Sequence, residues 1–236
     1  MKKFLSLCVL SFVGFSAVAA GADLGFNIGA DAQWRFMPLQ KGSGDNIVKK
    51  SYPHGAVYGG MKFNDFFGLE LGYQRSVSAK RQETLKVNNV SYFGDSLPID
   101  PTDHYVSHSK ISTQGFYTGV LGFLPISEEY RLKLIASVGV VRMQTKITSA
   151  LDFVEPTGTT ANFLVRTFVQ TKWIPKVGAG IQHMIDDNIG VRAMAGWEQT
   201  ARFKRIRGTR PNGTLSDYAA SLKNSTTLGL GMFYNF

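Results

Sequence analysis

The feature that most constrains the fold of this chain is a two-residue alternation of apolar side chains. From Leu24 to Phe36 every second residue is apolar, and the residues between them are glycine or polar. Successive side chains of a β-strand point to opposite faces, so this segment is predicted to be a strand that separates two different media. An amphipathic helix would instead repeat its apolar residues every three or four positions.

Seven later segments show a similar alternation, and with the first they predict eight strands. The predicted strands are residues 24–36, 54–63, 66–80, 109–124, 130–147, 173–184, 188–203 and 222–236. In the fourth strand the outward apolar face is assigned to Tyr117, Leu121 and Phe123. The second strand is the least distinct, because both of its faces are apolar or glycine over residues 56–62.

The connections between the predicted strands alternate in length. Long polar stretches follow the odd strands, at residues 37–53, 81–108, 148–172 and 204–221, and tight turns follow the even strands, at residues 64–65, 125–129 and 185–187. Short periplasmic turns and long outer loops are typical of bacterial outer-membrane barrels. The predicted fold is therefore all-β, an eight-stranded antiparallel up-and-down transmembrane β-barrel.

Aromatic residues are predicted to form two rims when the odd strands run outward. The periplasmic rim is assigned Phe26, Phe63, Phe67, Phe123, Tyr234 and Phe236, and the outer rim Trp34, Phe36, Tyr73, Tyr117, Trp173 and Trp197. Aromatic side chains favour both interfaces of a bilayer. A secreted soluble barrel with an apolar interior is the alternative, and the charged residues on the second face suit that interior poorly.

The composition excludes several other classes of protein. Only 18% of the 236 residues are charged, 44% are hydrophobic, and the 25 glycines have no three-residue period. These values exclude a disordered chain and a collagen-like chain. Beyond the N-terminal segment there is no apolar run of about 18 residues, which excludes a bundle of membrane helices.

The first residues are predicted to be a secretory signal peptide. Lys2 and Lys3 precede an uncharged apolar stretch that ends in small residues. This pattern predicts a signal peptide over residues 1–20 and a barrel over residues 21–236. Cys8, the single cysteine, lies within the signal peptide, so the exported chain is expected to have no disulfide.

The last strand carries a resemblance to a known family. Residues 227–236 end in Phe236, with Tyr234 two positions and Gly231 five positions earlier. With the strand number and the loop asymmetry, this ending resembles the OmpA-like eight-stranded outer-membrane barrels over essentially all of the exported chain. The resemblance implies that Gly231, Tyr234 and Phe236 form the signal read by the barrel-assembly machinery, although Gly229 replaces the family's usual polar residue. It extends to the barrel domain alone and not to a peptidoglycan-binding domain, so cell-wall anchoring is not implied.

Charged residues on the inward faces predict an ion network that fills the lumen. Eight strands enclose a space just wide enough for side chains, so a large diffusion pore is not expected. The predicted network consists of Asp31, Arg35, Lys62, Glu70, Lys133, Lys176, Arg192 and Glu198. A small gated conductance is the alternative, because the many inward glycines could leave gaps for water.

The histidines do not form a recognisable catalytic or metal site in the sequence. Eight-stranded barrels that resemble lipid A deacylases carry a His-x-Ser pair, whereas a serine follows His108 directly and none follows His183 at that spacing. A general base needs its nucleophile within hydrogen-bond reach. The potential metal ligands in the second long loop, interpreted as solvated loop residues, are Asp100, Asp103, His104 and His108. We therefore predict no catalytic residue, no metal, no cofactor and no enzymatic activity.

Basic residues are concentrated in the last long loop. Nine residues without an acid contain Arg202, Lys204, Arg205, Arg207 and Arg210. Guanidinium and ammonium groups pair with phosphate and sulfate, so lipopolysaccharide is the predicted contact of this loop. The adhesin-like alternative is a sulfated host glycan or an acidic host surface protein. Nucleic acid is not expected as a partner, because the chain is exported.

Together these features predict a monomeric surface protein of the outer membrane of a Gram-negative bacterium, with a structural or interaction role. The outer-membrane lipids, lipopolysaccharide and the barrel-assembly machinery are its expected partners. A small-solute channel of low conductance is the alternative function, and a lipid A-modifying enzyme is less favoured.

Overall fold

The chain forms β-strands in most of the parts that the computed structural model describes, which are residues 24–40, 47–85, 89–93, 95–98, 104–154, 160–199, 203, 206–209 and 215–236. The strands are β1 (Gly25–Phe36), β2 (Ser51–Lys62), β3 (Phe67–Ser76), β4 (Ala79–Leu85), β5 (Asn89–Tyr92), β6 (Asp95–Pro98), β7 (His104–Ser127), β8 (Leu132–Val154), β9 (Thr160–Met184), β10 (Ile189–Glu198), β11 (Ile206–Thr209), β12 (Leu215–Tyr218) and β13 (Ser225–Asn235). Within these residues no helix has the length and apolar character needed to cross a membrane.

Eight of these strands close into one antiparallel ring. Around the ring the order is β1, β2, β3, β7, β8, β9, β10 and β13, and β13 pairs back with β1. β4 follows β3 after a short break and pairs with the upper part of β7, whereas β5 with β6 and β11 with β12 form small separate hairpins. The eight-stranded antiparallel barrel predicted from the sequence is confirmed.

The alternation in the sequence corresponds to the two sides of this wall. On β13 the outward Leu228, Leu230 and Met232 are 58–70% exposed, while Thr227 and Phe233 on the other face are buried. A continuous apolar face of this kind contacts lipid in a membrane barrel. On most of the predicted strands the polar or small face therefore lines the lumen.

The fourth wall strand, β7, faces the opposite way from its predicted orientation. Tyr117, Leu121 and Phe123 are buried in the lumen, and Phe116 faces outward. Both faces of this strand are rich in apolar residues, so alternation alone does not fix its orientation. Tyr117 fits inside the barrel because its partner across the β3–β7 pairing is Gly72, where any side chain would collide with the tyrosine ring.

The aromatic rims change with the orientation of β7. Tyr117 and Phe123 lie in the lumen instead of their predicted rims. The exposed Phe116 lies beside Tyr73 towards the outer end, with ring centroids 5.0 Å apart. Trp173, on the outward face of β9, is about as exposed to solvent as Phe116.

Three wall strands extend far beyond the length that crosses a membrane. β7, β8 and β9 contain 24, 23 and 25 residues, whereas a tilted membrane strand needs about 9–11. The prediction of polar loops at residues 81–108 and 148–172 is therefore wrong for much of both segments. Inward residues of the extended strands, including Ile147, Leu151 and Phe168, are fully buried, and this apolar packing accounts for the extra length.

An apolar core lies inside the extended strands, at the end of the barrel away from the tight turns. This core, called here the outer cap, contains Met37, Leu39, Ile47, Val48, Tyr52, Ala79, Tyr92, Phe93, Tyr105, Ile111, Ile147, Leu151, Leu164, Phe168, Phe203, Tyr218, Ala220 and Leu222. The ring of Phe168 lies 4.6 Å from that of Phe93 and 6.2 Å from that of Phe203, measured between centroids. The Tyr92 hydroxyl donates to the carbonyl of Ser149 at 3.1 Å, and burial raises the pKa of Tyr92 to about 12. The outer connections thus pack against one another.

The other end of the barrel has tight turns held by side-chain hydrogen bonds. The Asn64 side-chain oxygen accepts two backbone N–H bonds, at 2.9 and 2.8 Å. The Asp186 carboxylate accepts backbone bonds from Ile189 at 2.6 Å and Asn188 at 2.8 Å, and these bonds lower the pKa of Asp186. Such Asx turns fix the short connections where the sequence predicts them.

Candidate functional site: the lumen and the outer rim

Arg192 holds two carboxylates in the middle of the lumen. Its guanidinium donates from Nε and Nη2 to the two oxygens of Asp31, at 2.9 and 2.7 Å, and from Nη1 to Glu70 at 2.5 Å. It also lies over the ring of Tyr58, 3.6 Å from the ring centroid. All three charged side chains are less than a tenth exposed. Charge-assisted bidentate bonds are among the strongest in proteins, so Arg192 fixes the lumen at this level.

A second ion cluster, nearer the outer cap, is centred on Glu198. Arg35 donates to both oxygens of Glu198, at 2.6 and 3.1 Å, and both side chains are fully buried. Gln74 donates to Glu198 at 3.3 Å and accepts from the Lys176 ammonium at 3.2 Å, which itself lies 4.0 Å from Glu198. The same ammonium is 4.4 Å from the centroid of the Tyr117 ring. With the first cluster, three cations face three carboxylates, so the network is formally neutral.

Both ion clusters join the strands on either side of β13. In the ring β13 lies between β1, which carries Asp31 and Arg35, and β10, which carries Arg192 and Glu198. Gly231 of β13 pairs with both Asp31 and Arg192, and a side chain at Gly231 would collide with the Asp31 carboxylate. The glycine therefore leaves the space in which Arg192 reaches Asp31 across the β13 backbone.

Two small cavities lie beside the ion clusters. The larger has a volume of about 50 Å³ and is lined in part by Asp31, Glu70 and Lys176, and the smaller has about 20 Å³ and is lined in part by Met143 and Glu198. A water molecule needs about 10–15 Å³ of such volume, so each cavity has room for one or a few waters. Lys176, which lines the larger cavity, approaches Glu198, which lines the smaller one, at 4.0 Å.

Lys62 and Lys133 lie apart from the two ion clusters, contrary to the prediction that they join the network. Lys133 is 3.7 Å from Asp65 in a tight turn. The Lys62 ammonium is 5.2 Å from the centroid of the Phe123 ring. Both lysines lie at the turn end of their strands and are only partly buried. Their charges are therefore stabilised by solvent and turn residues and not by a carboxylate in the lumen.

The sequence-based prediction missed two lumen side chains of β2 that contact the network. His54 lies 3.4 Å from Arg35 through Nε2 and 3.3 Å from the Gln33 side-chain oxygen through Nδ1. Tyr58 stacks on Arg192. The two residues are four positions apart and share the inward face of β2. The sequence does not distinguish the inward face of this strand, because both faces are apolar or glycine over much of residues 56–62.

Arg207 is the one predicted outer-rim cation within the described part of the chain. It lies in β11, its side chain is 88% exposed, and it approaches Asp217 of β12 at 3.6 Å. The hairpin pairing thus supplies an acid that the local sequence does not contain. Outside the described residues lie Arg202, Lys204, Arg205 and Arg210.

The three predicted assembly-signal residues lie at the end of β13. Tyr234 and Phe236 face outward with their ring centroids 5.1 Å apart, and the backbone N–H of Phe236 donates to the carbonyl of Phe26 at 2.9 Å. Gly231 faces the lumen beside Asp31. The lumen packing by itself requires a glycine at that position, and the assembly role remains a proposal.

The histidine and serine on β7 point to opposite faces of the strand. His108 is exposed and its Nε2 lies 3.3 Å from Asp152. Ser109 is buried and donates to a backbone carbonyl at 2.5 Å. His183 Nδ1 lies 2.8 Å from the backbone carbonyl of Tyr130. These positions do not bring His108 and Ser109 together as a base and its nucleophile.

Some predicted features lie outside the described residues. They are the signal peptide at residues 1–20 and the loop acids Asp100 and Asp103. Within the part of the chain that is described, no three His, Cys, Asp or Glu side chains converge in a way that could hold a metal ion.

Comparison with protein families gives a match over nearly the whole chain. A family model described as an outer membrane protein beta-barrel domain matches residues 5–236. Comparison with curated protein sequences gives no significant match.

Several solved structures are similar to this chain. OprG from Pseudomonas aeruginosa is 11% identical with a TM-score of 0.49, and the alignment covers 93% of this chain and 98% of that chain. Neisserial surface protein A is 13% identical with a TM-score of 0.45, covering 89% and 97%. Ail, the attachment invasion locus protein of Yersinia pestis, in complex with the heparin analogue sucrose octasulfate, is 12% identical with a TM-score of 0.45, covering 90% and 99%.

Proposed function

We propose a surface-interaction role for this chain, which belongs to the outer membrane protein beta-barrel domain family. It is an OmpA-like eight-stranded barrel of the cell outer membrane. In the proposed role the barrel anchors a structured extracellular extension, and basic residues on that extension bind anionic ligands. The chain acts as a monomer, since the apolar outer face of its closed ring is matched to lipid.

The observation that carries this proposal is the combination of a filled lumen with a packed outer cap. Arg35, Glu198 and Arg192 occupy the middle of the lumen in buried ion pairs. Above them the strands β7, β8 and β9 enclose an apolar core that holds the outer connections together. A passage for solutes requires neither the cap nor the ion pairs, whereas a rigid platform for surface contacts benefits from both.

The filled lumen gives a direct expectation for ion conduction. The purified barrel in a planar bilayer is expected to give no conductance steps at the nanosiemens scale. The ion pairs fill the cross-section of the lumen and leave beside them cavities of about 50 and 20 Å³. Single-channel recording checks this. Regular nanosiemens steps that change in size with Glu198→Gln would contradict the proposal and favour a low-conductance channel for small solutes.

The basic loop is the proposed site for an acidic host ligand. It contains Arg202, Lys204, Arg205, Arg207 and Arg210. Arg207 already has Asp217 at 3.6 Å, but both side chains are largely exposed, so this pair is weak and open to exchange with a ligand anion. Sulfated glycans present many anions at once, and they match a loop with several cations.

Neutralising this loop is expected to remove binding to heparin, used here as a probe of sulfated glycans. The variant Arg205→Gln, Arg207→Gln, Arg210→Gln is expected to bind at least about tenfold more weakly, since exposed ion pairs contribute up to about 1 kcal/mol each. Surface plasmon resonance on barrels in detergent at two salt concentrations measures this.

A matched variant controls for net charge. Lys49→Gln, Lys50→Gln, Lys223→Gln removes the same three charges from the outer end of the barrel and is expected to keep heparin binding within about twofold. Equal losses in the two variants would show a nonspecific response to charge and would count against a glycan site in this loop.

The proposed role does not include catalysis. His108 and Ser109 lie on opposite faces of β7, and His183 is bonded to a backbone carbonyl. This geometry supports a non-enzymatic barrel, because nucleophilic catalysis needs the base and the nucleophile in contact.

A further inference from the structure

Five cations form a row on the outward face of four strands that neighbour one another in the sheet. They lie on β3, β4, β7 and β8, all five are exposed, and we call them the cation ladder: Arg75, Lys80, Lys110, Arg142 and Lys146. The ladder is on the side of the wall, on strands, and shares no residue with the basic loop of residues 202–210.

The strand register brings these cations close together. Lys80 and Lys110 are directly paired across β4 and β7, which places their Cβ atoms about 4.5–5.5 Å apart. Lys110 pairs with Thr148 of β8, so Lys146 is its diagonal neighbour at about 7–8 Å. Arg142 lies on the same face of β8 as Lys146, four residues closer to the membrane.

The ladder is not neutralised by the protein within the described residues. None of its five cations has a carboxylate within 4.0 Å there, and the acid on the same outward face is Asp152, which is engaged by His108 at 3.3 Å. Like charges directly opposite on two strands destabilise a sheet. The Lys80–Lys110 pair is therefore an unfavourable arrangement that an external anion would relieve.

The lower end of the ladder coincides with the edge of the lipid belt. Arg142 is flanked by its register partners Phe116 of β7 and Trp173 of β9, and both rings are about two-thirds exposed. Aromatic rings mark the membrane interface in barrels. Along β8 the exposed apolar residues run from Leu134 to Val138, below Arg142. The ladder thus begins where acyl chains end.

We propose that the cation ladder binds the phosphate groups of one lipopolysaccharide molecule in the outer leaflet, with its acyl chains against Phe116 and Trp173. Phosphates of the lipid lie at the level where the aromatic rings end, and they match a group of clustered cations. A lipid-facing position favours a lipid over a soluble glycan, because the same molecule meets both the apolar belt and the cations. This inference rests on the outer-membrane location and is independent of the glycan proposed for the basic loop.

The test compares two triple variants that remove the same charge. Lys110→Gln, Arg142→Gln, Lys146→Gln alters the ladder, and Arg202→Gln, Arg205→Gln, Arg207→Gln alters the basic loop. Native mass spectrometry of the detergent-purified full chain measures retention of lipid A with two phosphates and of lipid A from which both phosphates have been removed. A gel shift between heated and unheated samples confirms that each variant is folded.

The ladder variant is expected to bind bisphosphorylated lipid A roughly ten- to a hundredfold more weakly, since three cations that attract anionic lipid at the membrane surface are removed. The loop variant is expected to bind it as the unaltered protein does, and dephosphorylated lipid A is expected to bind weakly to all three. Equal retention by the ladder variant and the unaltered protein would overturn the inference, as would equal binding of lipid A with and without phosphate. Loss of heparin binding alone in the ladder variant would assign the ladder to a soluble glycan and would also overturn it.

Discussion

Arg192→Met is expected to lower the free energy of unfolding of the barrel by about 3–5 kcal/mol, the cost of breaking a buried ion pair from one side. The substitution leaves the carboxylates of Asp31 and Glu70 in the lumen without the guanidinium that now donates three short hydrogen bonds to them. It also removes the stacking of Arg192 on Tyr58. Two unpaired carboxylates are then left in a space with little room for water.

Urea unfolding in phospholipid vesicles, followed by tryptophan fluorescence, measures this effect. Trp34, Trp173 and Trp197 are all on the outward face, so their emission reports transfer from lipid to water. The triple variant Asp31→Asn, Glu70→Gln, Arg192→Met removes all three charges. It is expected to recover most of the stability, because no unpaired charge is then left in the lumen. A loss below about 1 kcal/mol in the single variant would show that water compensates the carboxylates and that the lumen is more open than described.

Phe168→Ala is expected to cost the outer cap about 3–5 kcal/mol, as for other large-to-small substitutions in a core. Phe168 is 1% exposed and its ring contacts those of Phe93 and Phe203, which come from two different outer connections. Removing the ring leaves a cavity at the point where these connections meet. The cap should therefore open while the membrane part of the barrel stays closed.

Limited proteolysis of the protein in vesicles separates the two parts, since a protease outside reaches the cap and not the membrane strands. Phe168→Ala is expected to speed cleavage in the outer connections by more than tenfold, with the heat-induced gel shift of the barrel unchanged. Val169→Ala is the matched control, because Val169 is the next residue, faces outward and is 55% exposed. Cleavage at equal rates in Phe168→Ala and the unaltered protein would show that the cap does not depend on this contact.

The sequence predicts the wall of the barrel well because one face of most strands is uniformly apolar. It does not fix the orientation of β7, where Tyr117 and Phe123 resemble lipid-facing residues. Their inward position depends on space inside the lumen, and for Tyr117 that space is provided by Gly72 of the neighbouring strand. Alternation within one strand carries no information on such a partner.

The lengths of β8 and β9 were underestimated for a related reason. Polar residues dominate the segment at 148–172, so it resembles a loop, yet Leu151, Leu164 and Phe168 are buried in the outer cap. This segment forms strands because its apolar residues pack against those of the other outer connections. In the lumen, likewise, the charged residue types indicated a network, but the choice of Arg192 for Asp31 and of Arg35 for Glu198 depends on the order of strands around the ring.

The crossing of β13 by both ion clusters has a consequence for how the barrel is completed. Asp31 and Arg192 are 161 residues apart, and Arg35 and Glu198 are 163 apart, so each pair meets only after the first and last strands of the wall have joined. Until then these charges must stay hydrated, because an unpaired charge in the bilayer is costly. A seam displaced by two residues would keep every apolar side chain outward, but it would place Phe233 or Gly229 opposite Asp31 and move Asp31 away from Arg192 by about 7 Å along the wall. The native register of this last joint is therefore stabilised by ion pairs that a displaced register cannot form.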